Sequence, residues 1–496
     1  MKSKIIQLIS NNKLLILILL VALFFRTYEV VGRFEFAHDG DLYSWIVKDI
    51  VVNHHPRLIG QLTSADGIYI GPLFYYILVP FFLLSRMDPV GAIIPITIVG
   101  MLTVFSYYWV FKKLFNPVIG LFAAFFYSVL LWTVQFDRHI YPSTFSNIWS
   151  IWYFYAILAL SRGNFSVFPI LGLLIGLIWH IHIALAPTLL AIPAAILLSK
   201  KLPNLKQVTL FFITLFLISA PLIIFEIRHE FSQTLSLIKN LTIDHGGGSG
   251  IPKLNLLFIK AGSNIQNLFF YPQTLNILPP FLTALSLLAA GIFLAKRNLI
   301  KFKELAPLYI WISGVIAFFT FSSTIISEYY FSNIEVIFIG ILSILMYFVF
   351  KSSKAGRYFI IILLSIVLAK NLFFIVSQDY YNKGYIERKA ASEFITKDSK
   401  SRGFPCIAVS YITTPGENVG FRYFFFSYKL HVNQPWSGSP VYTIVLPDEL
   451  AQGKNEVLFG HIKVIPPDNV PSKEQIATSC SGENSNLTDS LFGYTE

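Results

Sequence analysis

Apolar runs of about 17–25 residues, each enough to cross a roughly 30 Å hydrocarbon layer as a helix, recur from residue 14 to residue 376. Short loops rich in Lys, Arg, Pro and Asn separate them. The pattern predicts about eleven spans, near 14–31, 91–111, 117–136, 142–160, 166–182, 184–199, 207–225, 279–295, 305–321, 332–350 and 358–376. Residues 71–86 are apolar but short, with Pro80 in their middle. Counted as a span, they would carry Lys112 and Lys113 across the membrane and invert the later charge pattern. They are read as a helix lying along, or re-entering from, the outer surface. Residues 32–90 then form one long outer loop.

Beyond about residue 377 the period changes. Helical spacing at 386–397, strands at 406–412 and 441–446, and a helical stretch at 418–431 predict a small α/β domain. The expected organisation is a multi-span membrane domain, 1–377, and a domain at 378–496 whose polar tail after Pro471 is loose. Few apolar contacts are expected between the two. The expected fold is an all-α polytopic membrane protein with a small extracytoplasmic α/β domain at its C-terminus.

Charge assigns the sides. The chain is 55% hydrophobic and only 13% charged, where a soluble domain carries about 25%. Its net charge of +11 would suit nucleic acid, but the distribution argues against that partner. With the N-terminus inside, the cytoplasmic loops collect Lys2, Lys4, Lys13, Lys112, Lys113, Arg162, Lys200, Lys201, Lys206, Lys296, Arg297, Lys301, Lys303, Lys351, Lys354 and Arg357. Glu304 alone is acidic there. This is the positive-inside pattern. It predicts a multi-pass plasma-membrane protein with a cytoplasmic N-terminus and an extracytoplasmic C-terminal domain. The first run is too long for a signal peptide and lacks a small-residue cleavage site, so it reads as an anchor. Cys406 and Cys480 both fall in the outer domain, and either a disulfide or two free thiols is open.

Polar chemistry gathers on the outer side. His38, His54, His55, His139, His180, His182, His229 and His245 all lie in outer loops, and the cytoplasmic loops hold no histidine. With them come Asp39, Asp41, Lys48, Asp49, Arg57, Asp137, Arg138, Arg228 and Glu328. Acidic, basic and imidazole groups converging on one face suggest a site. The plain alternative is that outer loops are wet. No internal repeat, Walker loop, dinucleotide fingerprint or spaced zinc motif is present.

Four stretches carry a resemblance: His38-Asp39-Gly40-Asp41-Leu42-Tyr43, Gly71-Pro72-Leu73-Phe74-Tyr75-Tyr76, Arg138 to Pro142, and Trp179-His180-Ile181-His182. In order, spacing and shared outer location they resemble the GT-C glycosyltransferases. The likeness is to the bacterial branch with the aminoarabinose transferase of the lipid A pathway and the protein O-mannosyltransferases, and it covers roughly residues 14–376. Two positions depart from that pattern. The usual Asp-Glu pair is Asp39-Gly40-Asp41 here, and Tyr141 stands before Pro142 where many members have Asp.

The resemblance implies transfer of a sugar from a polyprenyl-phosphate donor to a glycan, lipid or protein acceptor on the outer face. Membrane lipid is then a further partner. It implies Asp39 as general base, with inversion at the anomeric carbon, and Asp41 as a second carboxylate. A turn or helix cap is the competing reading of both, with Asp41 capping a helix that starts at Leu42. Arg57, Arg138 and His139 are the candidate lipid-phosphate partners. Headgroup anchoring, or an Arg138–Asp137 ion pair, is their alternative. His182, Tyr329 and Tyr330 are candidate substrate contacts.

No metal ligand set is assigned, and a divalent metal stays open. His180 and His182 lie about 200° apart on a continuous helix, so joint ligation needs a break there. Glu335 and Lys370 are expected to pair structurally. The run from His245 to Gly250 is expected to be a flexible loop, with a phosphate cradle as the alternative. A lipid-linked sugar flippase and a non-catalytic glycolipid binder are the competing functions.

One-sided basic loops predict a labelling pattern. Cysteines placed at Ser199 and Ser352 should resist an impermeant thiol reagent in intact cells, and one at Ser249 should react. The opposite pattern would turn the chain over.

Overall fold

The computed structural model describes residues 12–63, 65–240, 243–244, 246–272, 279–378, 382–468 and 470–488, apart from the side chain of Glu328. Lys2, Lys4, His245 and the Glu328 side chain therefore lie outside the described residues. The membrane body is built from α1 (Lys13–Thr27), α2 (His38–Val52), α3 (Leu73–Leu84), α4 (Ile93–Leu114), α5 (Pro117–Val129), α6 (Leu131–Phe136), α7 (Ser146–Ser161) and α8 (Phe168–Ile181). There follow α9 (Ala191–Ser199), α10 (Leu205–Arg228), α11 (Ser232–Asn240), α12 (Ile251–Phe270), α13 (Pro280–Lys296), α14 (Phe302–Phe321), α15 (Glu335–Ser352) and α16 (Lys354–Ser377).

Each of the eleven expected spans carries helix. Among the described residues, five helices are long and apolar enough to cross a membrane on their own. Others are interrupted. The 117–136 run breaks at Leu130, whose extended backbone separates α5 from α6. The 184–199 run starts as a 3₁₀ stretch, Ile183–Leu190, and becomes α-helical at Ala191. The twelve-residue α3 is far below spanning length and packs on α2, α4 and α8.

The long outer loop before α3 is more helical than its sequence suggests, since α2 begins at His38. Asp41 thus lies inside the first turn and is no N-cap. The twenty-residue α12 was not expected either. Its buried Lys253, Leu257, Ala261, Ile265 and Leu268 form a stripe, but Lys, Asn and Gln interrupt the apolar run. Lys253 caps the end of α14 by donating to the carbonyls of Ser322 and Thr324, the latter at 2.7 Å. Gly247 and Gly250 donate their N–H groups to the carbonyls of Ser323 and Thr320, both at 2.8 Å, so neither amide is open to a phosphate. The expected Glu335–Lys370 pair does not form. Glu335 accepts from Trp132 Nε1 at 2.8 Å, and Lys370 donates to the Phe269 carbonyl at 3.2 Å.

The buried pair Arg26–Asp137, at 2.6 Å, ties α1 to the C-terminal end of α6, and Tyr127 donates to the other Asp137 oxygen at 2.7 Å. Breaking such a pair by removing one partner costs about 3–5 kcal/mol, because the other charge stays buried. Asp137 is therefore engaged by Arg26 and not by Arg138.

The C-terminal unit contains α17 (Tyr385–Ser401), β1 (Ile407–Thr413), α18 (Arg422–Ser427), β2 (Val432–Asn433), β3 (Val441–Leu446), β4 (Val457–Phe459), β5 (Ile462–Ile465), α19 (Lys473–Cys480) and α20 (Ser485–Thr488). The sheet order is β2-β1-β3-β5-β4, parallel across β2-β1-β3 and antiparallel across β3-β5-β4. The helix expected at 418–431 shrinks to α18, and the β4–β5 hairpin was not foreseen. The tail is not loose over its described part. Cys480 is disulfide-bonded to Cys406, and Asn484 accepts from Val432 N at 3.1 Å.

The C-terminal unit is also no appendage. Tyr385, Tyr423 and Phe424 belong to one buried cluster with Phe34, Phe36, Tyr43, Phe74 and Phe82 of the membrane body. The prediction of few apolar contacts failed because these aromatics are spread along a polar-looking segment. Truncating a buried Phe to Ala costs about 3–5 kcal/mol. Phe424→Ala should therefore lower the melting temperature of the detergent-purified chain, and deletion of 378–496 should leave an aggregation-prone remainder. A truncated chain that melts like the full one would refute the shared core.

Candidate functional site

The site starts at the first turn of α2. Gly40 separates two carboxylates because only glycine fits: a Cβ there would lie 2.6 Å from a Phe36 ring carbon. Asp39 and Asp41 diverge. Asp41 is fully buried and accepts the backbone N–H of Tyr423 at 2.8 Å. The Asp39 side chain is 37% exposed. Gln61 Nε2 donates to its Oδ1 at 3.3 Å, and His38 Nδ1 lies 3.8 Å from the same oxygen. The neighbouring Asp39 carboxylate raises the His38 pKa, against burial, which lowers it.

Gln61 is itself held by Tyr75. The Tyr75 hydroxyl donates to Gln61 Oε1 at 2.9 Å and accepts the Gln61 N–H at 3.1 Å. The turn leading into α3 is fitted to the end of α8. A Cβ on Gly71 would meet His180 Nδ1 at 2.1 Å, and Gly71 N donates to the Trp179 carbonyl at 2.7 Å. His180 Nδ1 accepts from Leu73 N at 3.3 Å, and its Nε2 donates to the Ile218 carbonyl at 2.9 Å. Both ring nitrogens are thereby used structurally.

The helix does break at His182, which ends α8 with an extended backbone. His182 Nδ1 accepts from Ala184 N at 3.1 Å, which leaves Nε2 toward the Tyr329 hydroxyl, 3.5 Å away at the outer limit of a hydrogen bond. The His182 ring packs on Tyr329 and Tyr330, with centroids 5.3 and 5.1 Å away. Burial raises the pKa of the Tyr329, Tyr75 and Tyr43 phenols, and the Asp39 charge adds a smaller contribution in the same direction.

An apolar groove of about 420 Å³ opens between α3, α7 and α8. Leu73, Phe74, Trp149, Trp152 and Leu177 line it, and it follows α8 from Ile170 to Ile181. His180 is its polar member, one turn-end away from His182.

No family model and no curated protein matches the sequence. Solved structures do. ArnT from Cupriavidus metallidurans bound to undecaprenyl phosphate superposes with a TM-score of 0.56 at 12% identity, over 91% of this chain and 98% of that one. The apo state of ArnT gives 0.54 at 11% identity, over 92% and 98%. The Archaeoglobus fulgidus oligosaccharyltransferase follows at 0.49 and 13% identity, over 88% of this chain and 68% of that one.

The chain has the GT-C fold of ArnT.

Within this GT-C fold the expected site residues divide. His182, Tyr329 and Tyr330 pack on one another, and Asp39 is held by Gln61. Arg57 is clamped: its Nη2 and Nε lie 2.7 and 2.8 Å from Asp49 Oδ2. Burial opposes ionisation of Asp49, yet Asn53, Arg57 and His55 outweigh it and hold the carboxyl below its usual range. Arg138 caps the end of α1, donating to the Tyr28 carbonyl at 2.8 Å and the Phe25 carbonyl at 3.5 Å. His139 Nε2 faces Glu35 at 3.5 Å. Burial lowers the His139 pKa while Glu35 raises it, which makes it a poor fixed cation. A metal set from Asp39, Asp41, His180 and His182 does not fit, because Asp41 and His180 are turned to other partners. Among the described residues no three His, Cys, Asp or Glu side chains converge.

Sequence reasoning missed Gln61 and Glu35, and it named Tyr75 in a motif without giving it a role. Glu35 had a signal, standing four residues before Asp39 in the motif-bearing segment. Gln61 had none, since a neutral amide in a loop is unremarkable until the fold brings it to a carboxylate.

The raised His38 pKa carries a sign. A group raised in the folded state adds stability below its unfolded pKa and loses it as pH rises through the raised value. His38 should thus titrate above an ordinary histidine by NMR of ring-labelled protein, with the resonance assigned by His38→Gln. In Asp39→Asn the value should fall back. An unchanged value would remove Asp39 from contact with His38.

Proposed function

We propose that this protein is an integral-membrane glycosyltransferase that moves a sugar from a polyprenyl-phosphate donor to an acceptor on the extracytoplasmic face. The observation that carries this is a half-exposed carboxylate, Asp39, held by Gln61, in a fold that also carries the His182–Tyr329 pair and an apolar groove along α8. The groove suits a prenyl tail, and the polar wall suits a phosphate-linked sugar. The ArnT structure whose fold this chain shares contains undecaprenyl phosphate, which supports the donor class. The basic cytoplasmic loops support an inside N-terminus, and the Cys406–Cys480 disulfide fits an oxidising outer compartment.

In this reading an Asp39 oxygen takes the proton of the acceptor O–H or N–H as the acceptor atom bonds to the anomeric carbon. The bond from that carbon to the phosphate oxygen breaks, and its electron pair leaves with the polyprenyl phosphate. Single displacement with the base opposite the leaving group inverts the anomeric centre. Donors placed where phosphate charge develops lower the barrier. His182 Nε2 and the Tyr329 hydroxyl are suited to that, with the Arg57 guanidinium supplying positive charge nearby. Arg57 is the stronger cation candidate, because Arg138 is committed to the end of α1.

Asp39→Asn preserves size and much of the hydrogen bonding but cannot accept the proton at neutral pH. It should cut turnover by about 10²-fold or more and leave undecaprenyl phosphate binding within about twofold. The assay is release of undecaprenyl phosphate from a panel of radiolabelled undecaprenyl-phosphate sugars, with cell-envelope extract as acceptor source. Normal turnover in this variant would remove Asp39 as base.

A further inference from the structure

We infer that the C-terminal sheet domain grips the first turn of α2 on both sides of Asp39 and so positions its carboxylate, with Asp41 serving as a docking acceptor and not as a second reacting acid. The inference rests on the reading of Asp39 as base and adds a job for the outer domain. Two residues after Asp39, Asp41 is fully buried and takes the Tyr423 N–H of α18 at 2.8 Å. Two residues before it, Ala37 lies against Gly420. A Cβ on Gly420, whose φ is +88°, would sit 3.2 Å from Ala37 Cα and 2.9 Å from Arg388 Cδ. Further back, Tyr385 N donates to the Phe34 carbonyl at 3.0 Å.

The gripping loop is itself braced. Arg388 is fully buried, pairs with Glu417 at 2.9 Å, and donates to the carbonyls of Lys383 and Val419. The loop at 417–420 is therefore held from within its own domain while it presses on the segment that enters α2. Asp39, in contrast, touches the membrane body through Gln61. Its carboxylate is thus set by two bodies at once. A shift of about 1 Å at a reacting group can cost about 10²-fold in rate, so a loosened grip should appear in turnover before binding.

Asparagine separates the two roles of Asp41. Its amide oxygen can still accept the Tyr423 N–H, but it cannot act as a charged carboxylate. In the full-length chain in nanodiscs, Asp41→Asn should keep turnover within about threefold of wild type, and Asp41→Ala should lose about tenfold or more with undecaprenyl phosphate affinity unchanged. Hydrogen exchange over residues 38–44 should speed up in Asp41→Ala and stay slow in Asp41→Asn. Gly420→Ala perturbs the grip without removing a buried charge and should repeat the Asp41→Ala result, which keeps the test open if Asp41→Ala fails to insert. Equal damage from Asp41→Asn and Asp41→Ala would overturn docking in favour of a charged role. Wild-type exchange and turnover in Gly420→Ala would overturn the grip. Asp39→Asn, run alongside, keeps the two ideas apart: if it is silent the base assignment fails, whereas the exchange data still decide the grip.

Discussion

A buried carboxylate with a backbone N–H from another domain on one oxygen is the contact on which the docking of the C-terminal unit depends. An uncompensated carboxylate is costly to bury, so Asp41 requires Tyr423 N where it is. That requirement draws α18 onto α2. The aromatic cluster closes around the contact, with Phe36 on Phe424 at 4.9 Å, Trp45 on Phe426 at 5.2 Å and Phe34 stacked on Tyr385 at 5.4 Å. The polar bond sets the register, and the apolar contacts supply most of the stabilisation.

A second buried anchor is Arg26–Asp137. Gly100 permits it, since a Cβ there would lie 2.9 Å from Arg26 Nε. With Asp137 held by Arg26 and Tyr127, the neighbouring Arg138 turns to the end of α1, and His139 meets Glu35. The loop Asp137–His139 thus serves mainly to join helices. The exposed chemistry is left to the α2 start and the His182–Tyr329 wall. Polar residues of similar appearance in the sequence therefore divide by which of them finds a buried partner.

Much of the membrane body was legible because lipid imposes a simple demand: long apolar runs must be helical and basic loops stay on one side. The α12 helix escaped that logic, because a helix packed against other protein can carry Lys253, Asn264 and Gln266 on a buried stripe. The expected Glu335–Lys370 pair failed for a related reason. Complementary charge at similar depth says nothing about distance, and Trp132 reached Glu335 first. The tail after Pro471 looked loose because a polar composition does not reveal a disulfide to Cys406 or the hydrogen bonds of Asn484.

The sequence by itself determined the membrane-embedded helical body and the change of period near residue 377. These follow from hydropathy, periodicity and charge sidedness, which are local along the chain. Only the tertiary structure decided which carboxylate faces outward, because Asp39 and Asp41 differ in nothing but the neighbours that reach them. Gln61 reaches Asp39 across 22 residues, and Tyr423 reaches Asp41 across 382. Contacts at such separations arise from packing, and no local pattern encodes them.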